Sequence, residues 1–127
     1  MPNALQHLFG VPVLMCAVDG PIVRIDDEAM DLISEAAHRG ARWVILPANR
    51  LNDAFFQLKT GVAGAVFQKF VTYRVGLAIL GDISRHTIAS SAIRDFVHES
   101  NQGTGIWLVA DIESFGRQLQ RLSLASE

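Results

Sequence analysis

The sequence predicts an α/β domain with a mostly parallel, four- to five-stranded sheet carrying helices on both faces. Short continuous apolar runs recur along the chain, as in strands buried on both sides. Amphipathic patterns with helical spacing separate them, and turn or capping residues close each run. The order reads β-α-β-α-β-α-β-α, which favours parallel strands joined by right-handed crossovers.

Residues 1–10 have weak patterning and are expected to fray or to pair at a sheet edge. Pro12–Val18 is a nearly continuous apolar run, ended by Asp19-Gly20-Pro21. Ile22–Ile25 reads as a loop in preference to a short strand. Asp26 is placed to cap a first helix, with Asp27 and Glu28 in its first turn, where acidic groups suit the helix dipole. Its core stripe is Ala29, Ile33, Ala36 and Ala37, and Gly40 is a natural stop.

Trp43–Leu46 forms the next strand, closed by Pro47. A long helical pattern over 53–74 follows, with Phe55, Leu58 or Lys59, Val62, Val66 and Phe70 on one stripe. Ala63, Phe67 and Val71 lie beside it. A variant has Thr60 capping a helix that restarts at Gly61. Leu77–Leu80 is a third buried strand. One further helix is expected behind Ser84 or Thr87, burying Ile88, Ala89, Ala92, Ile93, Phe96 and Val97 and closing at Asn101 and Gly103. Ile106–Val109 is the last strand, and Asp111 caps a terminal helix carrying Phe115, Leu119 and Leu122.

A chain of 127 residues fits one domain, 1–127, and no linker or repeat divides it. Half the residues are apolar and 19% are charged, an ordinary globular balance. A net charge of −2 argues against a large nucleic-acid footprint. No apolar run approaches the roughly 20 residues that span a bilayer, and the first residues do not resemble a signal peptide. The expected location is the cytoplasm, with neither nucleic acid nor membrane as partner. The single cysteine, Cys16, lies in an apolar run and reads as a small buried hydrophobe.

Ligands in such sheets sit beyond the carboxyl ends of the strands. Asn49 and Arg50 follow the second strand, Asp82, Ser84 and Arg85 the third, and Asp111 the fourth. Asn49, Arg50, Asp82, Ser84 and Arg85, with Thr60, form a candidate ligand-binding rim suited to a small anion. Caps and turns alone also account for these residue types. Lys59-Thr60-Gly61 is not a Walker loop, because Lys-Ser/Thr must follow the glycines. Gly61 and Gly64 read as sites of close helix packing. Lys69, Tyr73 and Arg74 form the polar end of the long helix, either a solvated face or a partner contact. His7, His38, His86 and His98 show no metal-ligand spacing. Ser90-Ser91 with His86 and Asp95 lacks the nucleophile elbow of a hydrolase. No residue is assigned to catalysis, and no metal or cofactor is implied.

Several segments together resemble the domain of unknown function 4180 family (DUF4180). They include Ala41–Pro47, Arg50-Leu51, Phe55-Phe56, Thr60–Gly64, Gln68–Phe70, Tyr73-Arg74, Gly81–Ser84, Ser90–Ala92 and Arg94–Phe96. The resemblance covers residues 11–122 and implies bacterial origin and no established activity. Members of that family carry Glu after the Ala63-Gly64 pair, where this chain has Ala65. The element order also resembles the small STAS and SpoIIAA-like modules, which act largely by protein–protein contact. Asn52 and Asp53 stand where phosphorylated members of that group offer Ser or Thr. The leading expectation is a non-enzymatic interaction or regulatory module with a protein partner or a second copy of itself. The alternative is a small-ligand or anion-binding domain at the strand-end rim. A third reading, an enzyme using Asp82 with His86, has the least behind it.

Overall fold

The structure is a computed structural model that describes residues 3–20, 22, 27–57, 59 and 61–125. Five strands lie in sequence order across one sheet, β1 (Ala4–Leu8), β2 (Val11–Met15), β3 (Trp43–Pro47), β4 (Gly76–Leu80) and β5 (Ile106–Val109). β1 runs antiparallel to β2, and every later neighbour is parallel. The sheet is therefore mixed, with one antiparallel edge. The helices are α1 (Asp27–Arg39), α2 (Val62–Thr72), α3 (Ser84–Ala89), α4 (Ser91–Gln102) and α5 (Ile112–Ala125).

When parallel strands follow one another in order, right-handed crossovers place all the connecting helices on one face. The core divides accordingly. Leu14, Val44, Leu46, Leu77, Ile79 and Leu108 face one layer, which buries Ile33 and Ala36 of α1, Val66 and Phe70 of α2 and Ile93 of α4. The opposite face carries Val13, Trp43, Ile45, Ala78 and Trp107 under Phe115 of α5. Trp43 and Trp107 stack at 4.2 Å, and Phe115 meets both edge-on. Each large side chain buried this way contributes roughly 1.5–3 kcal/mol.

The expected strands recur with boundaries shifted by up to three residues, the largest at the end of β2, which stops at Met15 where Val18 was expected, and residues 4–8 do pair at the edge. The β1–β2 hairpin turns through Phe9 and Gly10, whose φ angles of 53° and 80° are both positive, as a type I′ turn requires. The Asp26 cap, most of the 22–25 loop, Leu58 and Thr60 lie outside the described residues. On α1 the stripe is Ala29, Leu32, Ile33 and Ala36, and Ala37 is exposed. One position beyond Ala36 turns a helical side chain about 100° away from the core.

Two expected helices are divided. The 53–74 pattern is a 3₁₀ turn over Asp53–Phe56, capped by the Asn52 side chain, and then α2 from Val62. Gly61 precedes α2 at φ 75°, a left-handed conformation that interrupts the helix. The close-packing reading of the glycines is overturned, because a Cβ at Gly61 or Gly64 would meet nothing within 4 Å. The other pattern breaks at Ser90, which is extended and whose hydroxyl caps α4 by accepting from Ile93 N–H. The preceding turn, α3, then buries nothing, so Ile88 is 80% exposed and not part of the core. Ala89 and Ala92 are exposed as well.

Candidate functional site

The carboxyl ends of β3 and β4 open into a cleft of about 370 Å³. Asn49, Asp82 and Arg85 line it together with Phe56, Ile83 and His86. Three of the expected rim residues are thus brought together. Ser84 follows Asp82 but does not line the cleft, and Asp111 is exposed as the N-cap of α5.

Most polar groups of this rim have a structural partner. Asn49 Nδ2 donates to the Val18 carbonyl at 2.9 Å. Asp82 accepts from Ser84 N–H at 2.9 Å, and hydrogen bonds from the Ser84 hydroxyl and backbone hold its carboxyl below the usual range. Arg85 pairs with Asp53 at 2.8 Å across open surface, where such pairs stabilise little. His86 stacks on Phe56 at 4.0 Å. Burial lowers its pKa, as does the Arg85 cation, and Asp53 opposes both.

Arg50 is elsewhere. It is only 7% exposed and donates from Nη1 to the Ala17 carbonyl at 3.0 Å. A Cβ on Gly20 would lie 2.5 Å from the guanidinium carbon, so the loop after β2 is moulded around it. Arg50 acts as a strut beneath the loop. Cys16 is buried nearby, and burial pushes its thiol up to about 11, which keeps it protonated.

The opposite end of the sheet carries a larger hollow of about 650 Å³, at the amino ends of β3, β4 and β5. Phe67, Phe70 and Ile106 contribute apolar lining, and Arg42, Arg74 and Glu99 bring charge. Among the described residues, Arg42, Arg74 and Glu99 make no side-chain hydrogen bond or ion pair. Val71 and Tyr73 beside the hollow are 57% and 55% exposed. Of the residues expected at a partner contact, Arg74 lines the hollow, while Lys69 and Tyr73 lie outside its lining.

Arg74 occupies a special position. α2 ends in a Schellman motif, with Val75 N–H on the Phe70 carbonyl at 3.1 Å and Arg74 N–H on that of Val71 at 3.2 Å. The residue in Arg74's place must be left-handed, and its φ is 58°. Glycine is the usual occupant, and a side chain there costs roughly 1 kcal/mol. The hollow and Arg42 were missed in the sequence because strand-end reasoning points to the other rim, although Arg74 was among the expected partner contacts.

The fold and these two concave ends define a small single-sheet α/β domain. The chain belongs to the family described as Domain of unknown function (DUF4180), whose model matches residues 9–119. No curated protein and no solved structure matches it. No described helix is long and apolar enough to cross a membrane.

Proposed function

We propose that this domain is a non-enzymatic protein-interaction module of the bacterial cytoplasm, docking its partner in the hollow at the amino ends of β3–β5. The carrying observation is Arg74, a charged side chain kept at a left-handed position that favours glycine, on the rim of an apolar hollow. Backbone strain retained at a surface site is a reason to look for function there. Arg42 and Arg74 suit a partner segment that combines a bulky apolar anchor with carboxylates.

A photoreactive residue at Tyr73 tests the reading in the native host. It should give one discrete adduct that Arg42→Ala and Arg74→Gly abolish. Adducts no more frequent than those from the same label at the exposed Ile88 would dismiss it.

A second reading has one favouring observation: Asn49, Asp82 and Arg85 share a cleft. It would hold a small ligand whose anionic group meets Arg85. A ligand screen by thermal shift tests it, because a ligand bound only to the folded state raises the midpoint. A hit whose shift survives Arg85→Ala would place that ligand elsewhere.

A further inference from the structure

The two edges of the sheet are finished differently. At β5, the Asn101 side chain accepts from Leu108 N–H at 2.8 Å and donates to the Leu108 carbonyl at 3.0 Å, the two bonds a neighbouring strand would make. Gln118 and Arg121 of α5 then bind the backbone carbonyl of Asn101. That edge is sealed.

β1 is the other edge, and no described strand lies beyond it. Exposed edges are usually protected by charge, proline, a bulge or a covering segment. Ala4-Leu5-Gln6-His7-Leu8 contains no Asp, Glu, Lys, Arg or Pro, and its pairing with β2 is regular throughout. Its start is held in place, since Arg39 Nη1 donates to the Asn3 carbonyl at 3.0 Å and Asn3 Nδ2 to Glu35 at 3.0 Å. The next residue, Phe9, is 59% exposed.

We infer that β1 pairs with β1 of a second copy of this chain, antiparallel across a twofold axis at Gln6, to make one continuous sheet. The sequence of the edge favours a copy over a foreign strand. Antiparallel pairing of a strand with itself is isologous, so each contact occurs twice. With the axis at Gln6, Leu5 faces the partner's His7 and Ala4 faces the partner's Leu8. Each pair lies within a single face, Leu5 with His7 on one and Ala4 with Leu8 on the other, because side chains alternate with period two. Gln6 meets the partner's Gln6, and a primary amide both donates and accepts, so the pair is complementary to itself. No like charges are opposed. Phe9 lies in the turn beyond the paired residues, with its ring against Gly116 of α5. β1 lies at the opposite edge of the sheet from β5, so this pairing is independent of the hollow.

Sedimentation equilibrium of the full chain at submillimolar concentration is the test. The wild type should show a dimer mass. Gln6→Lys sets two cations face to face and should raise the dimer dissociation constant about tenfold or more. Gln6→Glu should do the same, and an equimolar mixture of the two variants should recover a heterodimer. Gln6 is exposed, so both variants should keep the wild-type circular dichroism. A monomeric wild type overturns the inference. So does a dimer indifferent to Gln6→Lys, or a mixture that fails to reassociate.

Discussion

Asn101 grips Leu108 at both of its backbone polar groups, at 2.8 Å and 3.0 Å, seven residues apart in the chain. A helix terminus thereby supplies the missing neighbour of an edge strand. Leu108 is 5% exposed, so losing the amide leaves a buried N–H and C=O without partners. Asn101→Ala should cost about 2–4 kcal/mol in urea-induced unfolding. Asn101→Asp should recover only the N–H bond and fall between the two.

Arg50 and Gly20 form a coupled pair. Arg50→Ala removes a buried cation that holds the loop carbonyl of Ala17 and should destabilise by about 2–4 kcal/mol. Gly20→Ala should cost about 1–3 kcal/mol, because the added methyl meets the guanidinium. In the double variant the methyl has room, so the two penalties should sum to less than their separate values. Simple additivity in thermal unfolding would show that the loop rests on other contacts.

Ser90 and Ile88 test the division of the third helical pattern. Ser90→Ala removes the cap of α4 and should cost about 1 kcal/mol. Ile88→Ala should be within about 0.5 kcal/mol of neutral, because the side chain is solvated. A continuous helix with Ile88 in the core would lose about 2–5 kcal/mol on the same change.

Arg74→Gly should leave the fold intact and stabilise it by up to about 1 kcal/mol, since glycine takes φ 58° without strain. The same change should remove partner binding. Stability and binding would then move in opposite directions, which a structural role alone does not produce.

His86 carries a signed pH dependence. Burial first, and Arg85 second, lower its pKa in the folded protein. A group depressed in this way contributes stability that is present above its unfolded pKa, roughly 6.5, and lost as pH falls through the folded value. Unfolding free energy should therefore drop on acidification below about pH 6.5, and less steeply in His86→Gln. An NMR titration should put the His86 midpoint below the ordinary histidine value of roughly 6.5. Phe56→Ala should raise it by opening the stacked face.

The sheet was legible because Val, Ile and Leu runs with period-independent apolarity have one good home, a strand covered on both faces. Asp111 was legible as a cap for the same kind of local reason. The break at Gly61 was legible only as the variant in which a helix restarts there, and that at Ser90 was not read, since apolar residues continue at helical spacing through both. Among the rim residues, Asn49, Asp82 and Arg85 converge as strand-end reasoning suggested, but Arg50 does not. A guanidinium one turn from a strand end can point outward to a ligand or inward to a loop carbonyl, and nothing local to Arg50 decides which. The Asn101 clasp depends on a contact between a helix end and the strand after it, which spacing alone does not disclose.

Strand order also sets the order of assembly during synthesis. Each strand from β2 onward joins the sheet beside its predecessor, so the nascent sheet grows at one margin as the chain leaves the ribosome. A chain halted before Ile106 presents β4, Gly76–Leu80, as a bare and wholly apolar margin. Asn101 is made before the strand it will seal, so the lock is in place when β5 arrives. Truncated products ending between residues 81 and 105 should thus be the aggregation-prone species of this chain, and completion of β5 the step that makes it safe.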